Sequence, residues 1–127
     1  MAGPEGAPKP SARQIIESYG GGGFKVGGTR HSGSLLIFPG ETIAWPVAAA
    51  EDISVAALRP VLERPERARI LIIGCGRGFA PQPMDLNLEL RAAGIGVEWM
   101  GTGAACRTFN VLLLEGREVA AALIAID

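Results

Sequence analysis

Arg69-Ile70-Leu71-Ile72-Ile73-Gly74 is the stretch that decides the fold. Its apolar residues run without polar alternation and are mostly β-branched, the pattern of a strand covered on both faces. It is the expected centre of a sheet. Downstream, Met84 to Ala93 predicts a helix with Leu86 and Leu90 on one face, ended by Gly94. Ile95 to Met100 reads as a strand, Thr102 to Leu114 as a second helix, and Val119 to Ile126 as a last strand. Strand, helix, strand, helix, strand at this spacing means βαβ units with right-handed crossovers.

Upstream the pattern is different. Ile15 to Tyr19 predicts a short strand or a turn of helix, and the glycines Gly20 to Gly23 then free the backbone for a loop. Phe24-Lys25-Val26 alternates apolar with polar, and Gly27-Gly28 is a hairpin break. Ser34 to Phe38 is β-rich up to Pro39-Gly40, and Thr42 to Trp45 adds a short strand before Pro46. This third reads as antiparallel β-structure, with His31 in a Gly-rich loop. Between the two halves, Ser54 is an expected N-cap for a helix with Val55, Leu58, Val61 and Leu62 on one face, which Pro60 should kink or confine to regular structure on one side. Residues 1–12 are Pro, Gly, Ala and polar residues without periodicity, expected to form a flexible tail, with 13–127 forming one α/β domain.

Composition excludes several classes of function. Twelve basic residues against thirteen acidic ones leave no positive field for nucleic acid or anionic lipid. The longest apolar runs fall well short of the ~20 residues of a membrane span, and the start has neither a signal peptide's apolar core nor a transit peptide's amphipathicity. Cys75 and Cys106 are too few for a disulfide scaffold and lack zinc spacing, so a reduced cytoplasmic setting is expected, with no metal and no cofactor. Abundant Ala, Gly and Arg suit a bacterial genome rich in G and C.

Two loops could carry chemistry. Gly74-Cys75-Gly76-Arg77-Gly78 follows a strand as a dinucleotide fingerprint would, but Phe79-Ala80-Pro81-Gln82-Pro83 intervenes where the phosphate-binding helix should open. A turn at the strand's end is the simpler expectation. In Thr102-Gly103-Ala104-Ala105-Cys106-Arg107-Thr108, Thr102 can cap the helix, and Arg107 and the helix N-terminus would favour an anion or a Cys106 thiolate. No base for Cys106 is identifiable, since the only histidine is His31 and its distance from Cys106 is not fixed by the sequence. A packed cysteine and a surface-paired arginine are the alternative. Trp45, Trp99, Phe38 and Phe109 are expected in the core. No two acids are spaced as an acid/base pair.

From Met100 to Leu112 the chain reads Met-Gly-Thr-Gly-Ala-Ala-Cys-Arg-Thr-Phe-Asn-Val-Leu, followed by Glu115-Gly116-Arg117 and Val119 to Leu123. With Tyr19-Gly20, Phe24, Gly33-Ser34, Pro39, Trp45, Ile73-Gly74 and Gly76 in order before it, this resembles the family that includes mitochondrial complex I assembly factor 3 and bacterial and archaeal members of undetermined function. The resemblance implies a compact three-layer α/β sandwich around a mixed, mainly parallel sheet with one strand running against the others. Gly101 departs from it, standing where many relatives carry an acid.

With no catalytic constellation in view, the expected activity is binding rather than catalysis. The resemblance implies an assembly or scaffolding role for a respiratory complex through a protein partner. A symmetric homodimer through the apolar strands and the Gly-rich loop near His31 is an alternative expectation. The competing expectation is a small-molecule or anion pocket, of a binding protein or of an enzyme, where the Gly74–Gly78 loop meets the N-terminus of the Thr102 helix. It would be lined by Gly76, Arg77, Thr102, Cys106, Arg107 and Asn110.

Overall fold

A computed structural model describes residues 14–64, 68–78 and 82–127. The expected tail at 1–12 and the Phe79–Pro81 break lie outside the described residues. The first three strands, β1 (Ile16–Gly20), β2 (Gly23–Val26) and β3 (Thr29–Ser32), form an antiparallel sheet of their own. Gly27 and Gly28 both take positive φ, 55° and 87°, which is the twist a two-residue hairpin between right-handed strands requires. β3 occupies the stretch expected as a loop around His31. Its Thr-Arg-His-Ser sequence has no apolar alternation, and it is held by pairing, with His31 opposite Phe24.

β4 (Leu35–Phe38) and β5 (Glu41–Ala44) form a hairpin, and β6 (Ile70–Gly74), β7 (Gly96–Met100) and β8 (Val119–Leu123) join it in a five-stranded sheet of order β5-β4-β8-β6-β7. β6 runs parallel to β7 and β8, whereas β4 runs antiparallel to both its neighbours. β4 is thus the single strand opposed to the rest, as the family resemblance implied. Helix α1 (Arg59–Leu62) precedes β6, α2 (Met84–Ala92) links β6 to β7, and α3 (Thr102–Leu114) links β7 to β8.

The order of the strands explains where the helices lie. The step from β6 to β7 moves one way across the sheet, and the step from β7 to β8 moves back past β6. Two right-handed crossovers in opposite directions must fall on opposite faces. Accordingly Leu86 and Leu90 of α2 pack with Leu71, Ile73 and Trp45 on one face. Phe109 and Leu113 of α3 pack with Ile72, Phe24 and Leu35 on the other, where the small sheet supplies the rest of the cover. Even residues of β4 go to the first face and odd ones to the second, so Leu36 and Phe38 part from Leu35 and Ile37.

Two expectations change in detail. The middle of the sheet is β8, not Ile70–Ile73: β8 is inserted between β4 and β6, and all five of its residues are buried. Its alanines let elements on both faces approach closely, whereas the isoleucines of β6 supply bulk one place away. The helix expected from Ser54 is regular only in its second part, the confinement to one side that Pro60 allows: Ser54 Oγ accepts a bond from Ala57 N at 3.1 Å, and the regular helix starts at Arg59, with the proline in its first turn, where no amide hydrogen is needed.

Phe109 is fully buried between α3 and the sheet. Phe109→Ala should lower the unfolding free energy by about 3–5 kcal/mol, whereas Met84→Ala, on the exposed side of α2, should change it by no more than about 0.5 kcal/mol. Urea denaturation of the two variants checks this.

Candidate functional site

The parallel strands β6, β7 and β8 all end at one edge of the large sheet, and there the loops are tied together. Cys75 N donates to Met100 O at 2.8 Å, and Ile124 N donates to Gly74 O at 2.9 Å. Gly76 turns the chain with φ 90°. Its N–H donates to Thr102 Oγ1 at 2.9 Å, Thr102 N donates back to Gly76 O at 2.9 Å, and the Thr102 hydroxyl donates to Ile124 O at 2.7 Å. Gly76 and Thr102 therefore meet as expected, with Cys75 beside them. α3 comes so close to β6 that a Cβ on Gly74 would sit 3.1 Å from Thr102 Cα and from Ala105 Cβ. Glycine is required there by contact rather than by a ligand.

The polar groups expected to face a pocket are turned to internal use. Thr102 does not cap α3: it is the first helical residue, fully buried, and the N-cap is Gly101 with no side-chain cap bond. An aspartate at position 101 would serve as the cap. Cys106 is buried under α3, and its thiol is pushed up to about 12 by desolvation, which the adjacent Arg107 charge offsets only in part. It is a neutral thiol at pH 7, not the favoured thiolate. His31 lies in β3 opposite Phe24 and makes no hydrogen bond to Cys106 among the described residues. Asn110 clamps β1, with Oδ1 accepting from Ile16 N and Nδ2 donating to Ile16 O, both at 2.9 Å. Arg77 is exposed and donates to Asp127 O at 2.7 Å, while Arg107 is exposed with Nη1 3.5 Å from the Tyr19 hydroxyl.

Two clefts flank the Cys75–Gly78 loop. One, of about 360 Å³, lies between it and residues 124–127 and includes Arg77 and Glu51. The other, of about 130 Å³, reaches Trp99 and Gly101. Gly76 lines the first and Arg77 lines both; Thr102, Cys106, Arg107 and Asn110 line neither. Cys75 borders both clefts, and burial raises its thiol pKa as well, against a backbone hydrogen bond at Met100 that lowers it. Among the described residues no group of three or more His, Cys, Asp or Glu is placed to hold a metal.

Sequence reasoning missed Tyr19. Its ring lies against Gly103 in the first turn of α3, so that a Cβ there would come 2.6 Å from the hydroxyl oxygen. The available signal was the pairing of an isolated tyrosine with a glycine at a helical position, where glycine costs about 1 kcal/mol and so needs a reason.

This architecture defines a class, a small three-layer α/β domain whose sheet edge is closed by its own hydrogen bonds. The family model for a protein of unknown function (DUF498/DUF598) matches residues 16–124, and the chain belongs to that family. Among its relatives is an uncharacterised protein of Rhodobacter capsulatus, 39% identical over 109 residues, which cover 86% of this chain and 82% of the relative. Another is the NADH dehydrogenase [ubiquinone] 1 alpha subcomplex assembly factor 3 of Danio rerio, 35% identical over 90% of this chain and 66% of that protein. The chain spans between 48% and 66% of the length of the assembly factors it matches. The crystal structure of an outer membrane protein from Bartonella henselae superposes with a TM-score of 0.84 at 36% identity, covering 91% of this chain and 97% of that one.

Thr102→Val keeps the volume but leaves the Gly76 N–H and the Ile124 carbonyl unpaired. It should cost about 1–3 kcal/mol in a denaturant titration. For Cys106, whose native pKa lies above its ordinary value of 9.0, the folded state holds a proton that the unfolded state loses between pH 9 and about 12. Stability should fall as pH rises through that window, and less steeply in Cys106→Ala, which pH-dependent thermal melts would record.

Proposed function

We propose that this domain works without catalysis, by binding a protein partner, and that it serves as an assembly or scaffolding factor for a respiratory complex. The observation that carries this reading is the similarity to the complex I assembly factors, which for the Danio rerio protein extends over 90% of this chain. The geometry supports it: Thr102, Cys106 and Asn110, the groups best suited to chemistry, are buried or spent on the chain's own backbone. No helix among the described residues is long and apolar enough to cross a membrane. The reading accordingly has the domain act from the cytoplasm on a peripheral part of the complex.

The test is affinity purification of the tagged chain from its own host in low detergent, with identification of the proteins and small molecules that come with it. Subunits or assembly intermediates of a respiratory NADH dehydrogenase should co-purify, and deleting the gene should lower the amount of assembled complex on native gels. A stoichiometric small molecule with no protein partner would overturn the reading in favour of a pocket at the Gly74–Gly78 loop.

A further inference from the structure

The described arginines differ in their partners: four pair with glutamates, whereas Arg30, Arg77, Arg91 and Arg107 do not. Arg59, Arg64, Arg69 and Arg117 each lie within 4.0 Å of a glutamate, at 3.9, 2.9, 3.1 and 3.9 Å. Arg30 and Arg107 have no carboxylate partner among the described residues, and both reach the same short segment. Arg30 Nη2 donates to the carbonyls of Gly20 and Gly21 at 2.8 and 3.1 Å, and Arg107 Nη1 stands 3.5 Å from the hydroxyl of Tyr19. These are neutral oxygens. Two guanidinium groups without a carboxylate therefore meet the Tyr19–Gly21 segment from its two sides, Arg107 at the tyrosine hydroxyl and Arg30, which shares the other face of the small sheet with Lys25, at the two glycine carbonyls.

Tyr19 itself is held in place, because Gly103 opens the notch on α3 that its ring occupies. From Arg107 the outward face of α3 continues through Val111 and Leu114, four and seven residues on, both more than half exposed. The acids on the same elements are already engaged. Glu17 of β1 accepts the Gly28 N–H, and Glu115 at the end of α3 lies beside Arg117. Asp127, on the other side of Gly20, sits against Arg77 and marks the limit of the positive surface.

We infer that Tyr19, with Arg30 and Arg107 on either side and Val111 and Leu114 beyond, is a docking surface for an acidic, amphipathic segment of a partner protein. Tyrosine and arginine are the side chains that most often anchor protein interfaces, since each combines apolar area with a directional polar end. A pre-positioned ring loses little conformational freedom on binding. Partner carboxylates replace the weak contacts of the two guanidiniums, and apolar side chains of the same segment cover Val111 and Leu114. Uncompensated charge at the rim also speeds encounter with an acidic partner, and that effect weakens with salt.

This inference rests on the reading that the domain binds protein, and the test separates the two. A photo-crosslinking p-benzoylphenylalanine is placed at Val111 in the full chain, expressed in its own host, with the same probe at Met84 on the opposite side of the large sheet as a control. Adducts should form from position 111 and not from 84, should map by mass spectrometry to an acid-rich segment, and should fall about 10-fold with Arg30→Glu/Arg107→Glu. Arg107→Gln should give an intermediate loss. The reversal of two ion-paired residues, Arg69→Glu/Arg117→Glu, should leave the yield unchanged. Circular dichroism melts matching the unsubstituted chain exclude unfolding as the cause.

Adducts of equal yield from 84, no adduct from 111, a mapped segment without acids, or a yield that survives the Arg30/Arg107 reversal would each overturn the surface. If respiratory subunits co-purify with the reversed variant as with the unsubstituted chain, the assembly reading stands and the surface falls. An acid-rich adduct on a protein unrelated to respiration keeps the surface and removes the assembly reading.

Discussion

The Thr102 hydroxyl is the interaction on which the rest of the structure depends. It accepts from Gly76 N and donates to Ile124 O, so one buried oxygen joins the loop after β6, the first residue of α3 and the residue after β8. A buried hydroxyl with both its donor and its acceptor satisfied is stable only in one geometry, because losing either partner strands a polar group away from water. The register of α3 on the sheet is fixed by that condition. The same bonds also engage two of the amides at this edge: the N–H groups of Gly76 and Thr102 already have acceptors within the chain.

Closing the edge moves the functional question outward, to the surface. A chain with a formal net charge of −1 has no global field to steer a partner, so any electrostatic selectivity must be local. Four arginines are matched to glutamates, whereas Arg107 reaches only the Tyr19 hydroxyl and Arg30 only the carbonyls of Gly20 and Gly21. Exposed ion pairs contribute little to stability, so pairing or not pairing a surface arginine costs the fold almost nothing. Such a surface can vary with the partner without disturbing the core beneath it.

The elements with strong periodicity were legible in the sequence. The second long helix has the bounds Thr102–Leu114 that its residues imply, α2 ends where Gly94 takes a positive φ, and β6 is buried as its unbroken apolar run requires. Strand order was less legible, because apolar weight is a poor guide to position. Val-Ala-Ala-Ala-Leu is the central strand since small side chains suit a place crowded from both faces, a packing property that single-strand propensity does not report. β3 was invisible because its pairing to β2, not its own composition, makes it a strand. At the candidate site, residue types were a guide to proximity but not to orientation. Gly76 and Thr102 do meet, but whether a hydroxyl points into a cleft or into the backbone depends on a junction of three segments distant in sequence.

The attachment of the small sheet shows how such distant segments determine the surface. β1 is an edge strand, and on its free side it meets not another strand but α3, where the Asn110 amide satisfies both the N–H and the carbonyl of Ile16 as a neighbouring strand would. Three residues further along β1, Tyr19 settles on Gly103, two turns back along the same helix. Together the two contacts hold β1 along α3 at both ends, while Gly22 N donating to Ile126 O fastens the hairpin turn to the chain leaving β8. The position of Tyr19 relative to Arg107 is thus set by side chains of one rigid helix and not by loop conformation. That helix is in turn seated on the large sheet by Thr102, so the exposed face and the buried knot belong to one mechanical unit.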